Sequence, residues 1–118
     1  MPESGLTGAS DKTMEIELTV TGRKSAREIP RPVWFVYEDN SLYLLPIQGS
    51  DTNWYKNVLN NSFVKIIVDG RQFSGKSKPI TDSDKVKEVV NKFISKYGES
   101  DVNKYYTKFD VCVELIPD

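Results

Sequence analysis

The sequence predicts a mainly β, α+β domain in which about six antiparallel strands curve into a barrel and two or three helices close it. Three observations carry this. Apolar and polar residues alternate strictly over residues 14–21, and β-branched or aromatic runs recur beyond them. Most connections between these runs are short and built from Gly, Asn, Asp or Pro. Helical spacing is sparse and lacks the strand–helix alternation of a parallel sheet, which argues against a Rossmann-type arrangement.

Taken in order, residues 1–12 are polar, rich in Gly, Ser and Thr and without periodicity, so they are expected as a flexible arm ahead of a domain over residues 13–118. The first strand puts Met14, Ile16, Leu18 and Val20 on one face and Glu15, Glu17, Thr19 and Thr21 on the other. Residues 22–28 break the alternation and residues 30–37 resume it, with the prolines at the strand's start, which gives a hairpin with a basic loop. Turn residues 38–41 lead to a third strand over 42–45 that stops at Pro46. Ser50 or Asp51 is expected to cap a short helix through Asn60, with Trp54, Tyr55, Val58 and Leu59 on its inner side.

Residues 63–68 read as a buried strand, Asp69-Gly70 as a two-residue hairpin turn and residues 71–79 as the partner strand. Thr81, with Asp84 as its capping-box partner, opens the clearest helix, in which Val86, Val89, Val90, Phe93, Ile94 and Tyr97 share one face; Gly98 stops it. A short polar helix over 101–106 and a last strand over 109–116 complete the pattern.

Composition excludes several kinds of chemistry. The 118 residues carry 16 Lys and Arg against 17 Asp and Glu, so a net charge of −1 supplies no general field for nucleic acid. With no run of about 20 apolar residues and no charged-then-apolar leader, stable membrane insertion and secretion are not expected. The single cysteine, Cys112, sits in an apolar run and reads as a structural thiol suited to a cytoplasmic chain. The chain has no histidine, which removes His-activated nucleophiles and His-based metal sites; no metal site is expected. The acidic pairs Asp82/Asp84 and Glu15/Glu17 read as a helix start and a solvated strand face.

Four of the nine residues from Arg23 to Arg31 are cationic, namely Arg23, Lys24, Arg27 and Arg31. Two readings stand: a solvated hairpin loop, or a site that grips phosphate oxygens through guanidinium, ammonium, the Ser25 hydroxyl and turn N–H groups. Trp34 and Trp54 are likewise either core residues or walls for a planar ring.

The string Thr19-Val-Thr-Gly-Arg-Lys-Ser-Ala-Arg, with Pro32-Val-Trp-Phe and Gly49-Ser-Asp-Thr-Asn-Trp-Tyr-Lys-Asn-Val-Leu-Asn-Asn, resembles the deazaflavin-dependent nitroreductase family over roughly residues 13–116. The resemblance implies a split β-barrel, an oxidoreductase that passes hydride from reduced coenzyme F(420) to a small electron-poor acceptor of quinone, nitro or enone type, and a homodimer. The alternatives are an FMN-dependent reductase or a non-catalytic flavin-binding protein of the same fold. Carried over by position, it implies that Arg23, Lys24 and Ser25 grip phosphate, that Pro32, Trp34 and Trp54 lie beside the ring, and that Arg27 and Gln48 belong to the cofactor site. Tyr105 and Tyr106 resemble tyrosines on the acceptor side and are the catalytic candidates, with helix packing as the other reading; packing is favoured for Tyr97. Three positions depart from the family pattern: Ala26 replaces Gly, Ile29 replaces a frequent Arg, and Gln48 stands near a frequent Lys.

Overall fold

A computed structural model describes residues 15–38, 41–68 and 70–117. It has seven antiparallel strands in one curled sheet with three α-helices among the described residues. The strands are β1 (Ile16–Thr21), β2 (Glu28–Val33), β3 (Val36–Glu38), β4 (Ser41–Leu44), β5 (Phe63–Val68), β6 (Arg71–Ile80) and β7 (Cys112–Pro117). The helices are α1 (Asn53–Asn60), α2 (Ser83–Tyr97) and α3 (Glu99–Tyr105). The expected arm over 1–12, with residues 13 and 14 of the first strand, lies outside the described residues, as does Asp69; Gly70, with φ of +81°, supplies the positive dihedral the hairpin turn needs.

The sheet order is β2-β1-β5-β6-β7-β4-β3, so strands consecutive in sequence, β2 and β3, form its two edges. Laid flat, seven strands would set those edges about 29 Å apart. Only Trp34 and Phe35 separate Val33 from Val36, a link that spans at most about 11 Å. The sheet therefore rolls until its edges meet at this corner. Here the single strand expected over 30–37 divides in two: β2 pairs with β1 (Ile16 opposite Val33), whereas β3 pairs with β4 (Val36 opposite Tyr43). The division raises the strand number from about six to seven.

Rolling creates an inside and an outside. Alternation sends Leu18, Val20, Leu42, Leu44, Val64, Ile66, Val113 and Leu115 into the barrel interior with Phe35, and α1 contributes Trp54, Tyr55 and Val58 to the same core. On the outer face, Val36, Tyr43, Leu45 and Cys112 meet Val86, Val89, Phe93 and Tyr97 of α2 and Val102 of α3. Burial pushes the Cys112 thiol up to about 11, so it stays protonated and inert, as a structural thiol should. No helix of the described residues is long and apolar enough to cross a membrane.

Helix starts differ from expectation by a residue or two, for identifiable reasons. The cap of α1 is Thr52, not Ser50 or Asp51, whose side chains are engaged by Asp110 and Lys108. Asp82 caps α2 by accepting from the Lys85 N–H at 3.0 Å, in place of a Thr81–Asp84 box. Leu59, expected on the inner side of α1, is 57% exposed, and Asn57 is buried instead.

Candidate functional site

The β1–β2 hairpin carries the basic residues and closes through two backbone bonds, Gly22 N–H to Arg27 O at 2.8 Å and Ala26 N–H to Gly22 O at 2.9 Å. Gly22 lets the Ser25 side chain fold in close, since a Cβ there would stand 2.6 Å from Ser25 Oγ and displace it. Ala26 holds a left-handed φ of +58°, a conformation that favours glycine over a residue with a Cβ. Ala26→Gly is expected to raise stability by about 0.5–1 kcal/mol, relief of the left-handed penalty outweighing the greater freedom of the unfolded chain. Chemical unfolding measures this, and an unchanged or lower midpoint would show that the turn is not strained.

Two concavities open beside this hairpin and meet at Trp54. The first, about 260 Å³, is lined by Gly22, Arg23, Lys24, Ser25, Ile29 and Arg31 from the hairpin and by Asn53, Trp54 and Asn57 from α1. Its lining contains no carboxylate, and none of Arg23, Lys24, Arg27 and Arg31 forms an ion pair among the described residues, whereas Lys65, Lys85, Lys92 and Lys108 all do. Arg23 is fixed from below: its backbone N–H donates to Asn57 Oδ1 at 3.1 Å and its Nη1 to the same oxygen at 2.8 Å.

The second concavity, about 330 Å³, is lined by Pro32, Val33 and Trp34 from the sheet's seam, by Leu45, Ile47 and Trp54, by Tyr105 and Tyr106, and by Glu15. Trp34 stacks on Tyr97 with centroids 4.2 Å apart and planes 8° from parallel, and Tyr105 meets it edge-on at 5.5 Å. The Tyr97 hydroxyl accepts from the Phe35 N–H and donates to the Phe35 carbonyl, both at 3.0 Å, in the role a strand partner would fill. Tyr97 is therefore a packing residue; burial, against the lowering influence of the Phe35 N–H that donates to its oxygen, pushes its phenol up to about 12. Tyr106 is also buried, and desolvation lifts its phenol well above the ordinary tyrosine value, with Tyr97 adding to the shift. It remains a proton donor throughout the physiological range, and its hydroxyl has no hydrogen-bond partner among the described residues. Tyr105 is 49% exposed at the rim.

The strap that carries Ile47 is held by distant residues. Ile47 O accepts from the Thr107 N–H at 2.9 Å, and Asp110 accepts from the Ser50 N–H at 2.9 Å and the Ser50 hydroxyl at 2.6 Å. Gly49 has φ of +56°, and any Cβ there would run into Asp110 Oδ1. Partial burial alone would lift the Asp110 carboxyl, but the Ser50 hydrogen bonds, with Lys108 beside it, hold it below the ordinary Asp range. Its contribution to stability is therefore complete above the unfolded value of about 3.9 and fades as pH falls through the lower folded value. Asp110→Asn should be less stable than the parent at about pH 6 and converge with it in strong acid. A difference in thermal midpoint that persisted undiminished into acid would count against this assignment.

Of the residues singled out from sequence, Arg23, Lys24 and Ser25 gather in the cationic concavity, Pro32, Trp34, Tyr105 and Tyr106 in the aromatic one, and Trp54 in both. Arg27 and Gln48 line neither. Arg27 sits exposed past the turn with its N–H on Ser25 Oγ, while the Gln48 N–H donates to Thr52 Oγ1 at 2.8 Å on an exposed stretch bridged to Lys108. Arg31 joins the site even though Ile29, on the same strand face, packs toward Gly22. Asn57, Asn53, Leu45 and Ile47 were not foreseen; the available signal for Asn57 was a polar residue three places after Trp54 on an otherwise apolar helix face. Among the described residues no group of three or more His, Cys, Asp or Glu could hold a metal ion.

A rolled antiparallel sheet with a helix-covered outer face and a groove at its seam defines a protein of the split-barrel class. Over residues 8–110 the sequence matches the family described as an uncharacterized protein conserved in bacteria (DUF2255), and the chain belongs to that family. No curated protein matches it. Among solved structures, it is similar to an F(420)-H2-dependent reductase at 16% identity, covering 87% of this chain and 94% of that one with a TM-score of 0.68. It is also similar to HutZ, the heme storage protein from Vibrio cholerae, at 14% identity, 96% and 87% coverage and a TM-score of 0.75. A conserved hypothetical protein from Mycobacterium tuberculosis is similar at 15% identity, 99% and 81% coverage and a TM-score of 0.78. At such identities the likeness is one of fold, and the fold is what this chain shares with the F(420)-H2-dependent reductase and with HutZ.

Proposed function

We propose that this chain is an oxidoreductase that holds a phosphate-bearing flavin-type coenzyme across the two concavities and passes hydride to a small electron-poor acceptor. The observation that carries the reading is the meeting, at one tryptophan, of an uncompensated cationic concavity and an apolar aromatic one. The donor set fits the group: Arg23, Lys24, Arg31 and the Ser25 hydroxyl offer charge-assisted bonds to phosphate oxygens, and Pro32, Trp34 and Trp54 offer apolar faces to a ring. Coenzyme F(420) is the first choice and FMN the alternative, each joining a phosphate to a planar ring. When bound in its reduced form, the coenzyme supplies the hydride.

The chain's own residues do the rest. Arg23, fixed by Asn57, sets the position of the phosphate end, and Trp54 sets the ring beside it. Ile47, Leu45 and Val33 exclude water from the ring's surroundings. Tyr106, protonated and without a protein partner, is placed to donate to the oxygen on which the acceptor gathers charge, with Tyr105 orienting the acceptor at the rim. No strong base is needed, which suits a chain without histidine. A homodimer in the cytoplasm is the setting we propose.

The test is a titration of the protein with coenzyme F(420) and with FMN, followed by anaerobic mixing of the reduced complex with quinone and nitro acceptors. Binding with acceptor-dependent reoxidation is the expected result. Binding without reoxidation would favour a carrier or sensor of the same coenzyme, and no binding of either would overturn the reading.

A further inference from the structure

Asn57 is 5% exposed, although asparagine carries two acceptor and two donor positions that water would otherwise satisfy. One end of its amide meets only donors, the Arg23 backbone N–H at 3.1 Å and Arg23 Nη1 at 2.8 Å, which fixes that end as the carbonyl oxygen. The other end is then the Nδ2 group, which finds no acceptor among the described residues. A buried donor without a partner costs stability and is uncommon in a settled fold. Asn57 lines the cationic concavity, whose other polar side chains bring guanidinium, ammonium, hydroxyl and the Asn53 amide but no carboxylate, and among the described residues none of them accepts from Nδ2.

We propose that Asn57 is an anion-binding residue of two functions, its carbonyl end positioning Arg23 and its Nδ2 end donating to an oxygen of a phosphate group. The assignment rests on the reading that this concavity takes the coenzyme's phosphate, and it adds a specificity device to it. Asn57 lies three residues, a little under one helical turn, beyond Trp54, so the phosphate donor and the ring-facing indole ride on one rigid element about 5 Å apart along its axis. The helix thereby fixes how far the phosphate stands from the ring, and ligands with a different spacing are rejected.

The experiment follows the Asn57 side-chain amide signals by ¹⁵N–¹H NMR while the full chain is titrated with FMN, riboflavin and inorganic phosphate, with Asn57→Asp for assignment and for affinity. The aspartate keeps the acceptor that holds Arg23 but removes the donor. Expected are a shift of the Asn57 amide with FMN and with inorganic phosphate, none with riboflavin, and a loss of FMN affinity in Asn57→Asp on the order of 10–100-fold with an unchanged or raised thermal midpoint. If neither FMN nor coenzyme F(420) binds but inorganic phosphate moves the amide, the coenzyme reading falls and the Asn57 assignment stands. If FMN binds while the amide stays still, or neither FMN nor phosphate moves it, the assignment is overturned; the wild-type titration decides this even if Asn57→Asp does not fold.

Discussion

Replacing Arg23 and Lys24 together by alanine is expected to weaken binding of a phosphate-bearing flavin by about 3–6 kcal/mol, at about 1.5–3 kcal/mol for each charged hydrogen bond. That corresponds to a loss of affinity of roughly 10²–10⁴-fold. The size of the effect follows from the absence of carboxylates in the lining of the concavity, so that no opposite charge there competes for the two cations. Riboflavin, which shares the ring and lacks the phosphate, is the control: its affinity should change little. Because Arg23 also satisfies the buried Asn57 carbonyl, the double variant is to be compared with Arg23→Lys, and its unfolding midpoint measured separately. Equal affinity of the double variant and the parent for FMN, with folding intact, would place the phosphate elsewhere.

The second large effect concerns the corner where the sheet's edges meet. Phe35 is fully buried in the barrel interior, and its backbone is held by the Tyr97 hydroxyl and by Lys96 Nζ, which donates to its carbonyl at 2.9 Å and sits 3.6 Å above its ring. Truncating such a ring removes its transfer energy and leaves a cavity, together about 3–5 kcal/mol. For a domain whose total stability is on the order of 5–15 kcal/mol, Phe35→Ala should bring the protein close to unfolding, while Phe35→Leu should lose much less. Urea unfolding of the two variants measures the difference. A loss below about 1.5 kcal/mol for the alanine would show that closure of the barrel does not depend on this ring.

These two regions differ in how far the sequence alone discloses them. The alternation of Ile16, Leu18 and Val20, the Val64–Val68 run and the Val86–Tyr97 stripe give β1, β5 and α2 because each records a local periodicity facing one core. The basic turn is legible for the same reason: its charges are contiguous. The break at Trp34-Phe35 is not, since the residues around it are all good strand formers and the division is imposed by closure of a sheet assembled from the whole chain. The caps were misplaced for a related reason. Ser50 and Asp51 have cap-forming side chains, but Asp110 and Lys108, about half the chain away, engage them first. Asn57 was legible only as an anomaly, a polar residue where the helix called for an apolar one, and its partner Arg23 lies 34 residues earlier.

The sheet order also constrains the sequence in which this protein is made. β4 is flanked by β3 and β7, and β7 follows every other strand among the described residues, so the Ser41–Leu44 segment leaves the ribosome long before the strand that completes its ladder. Until Cys112–Leu115 arrives, the β3–β4 hairpin is open on both edges, and β2 and β3 cannot be brought to their shared corner with the intervening strands in register. The aromatic wall built on Trp34 and Leu45 thus forms only once β7 has been made, and a nascent chain halted before Cys112 would carry the basic hairpin intact beside a seam that has not closed.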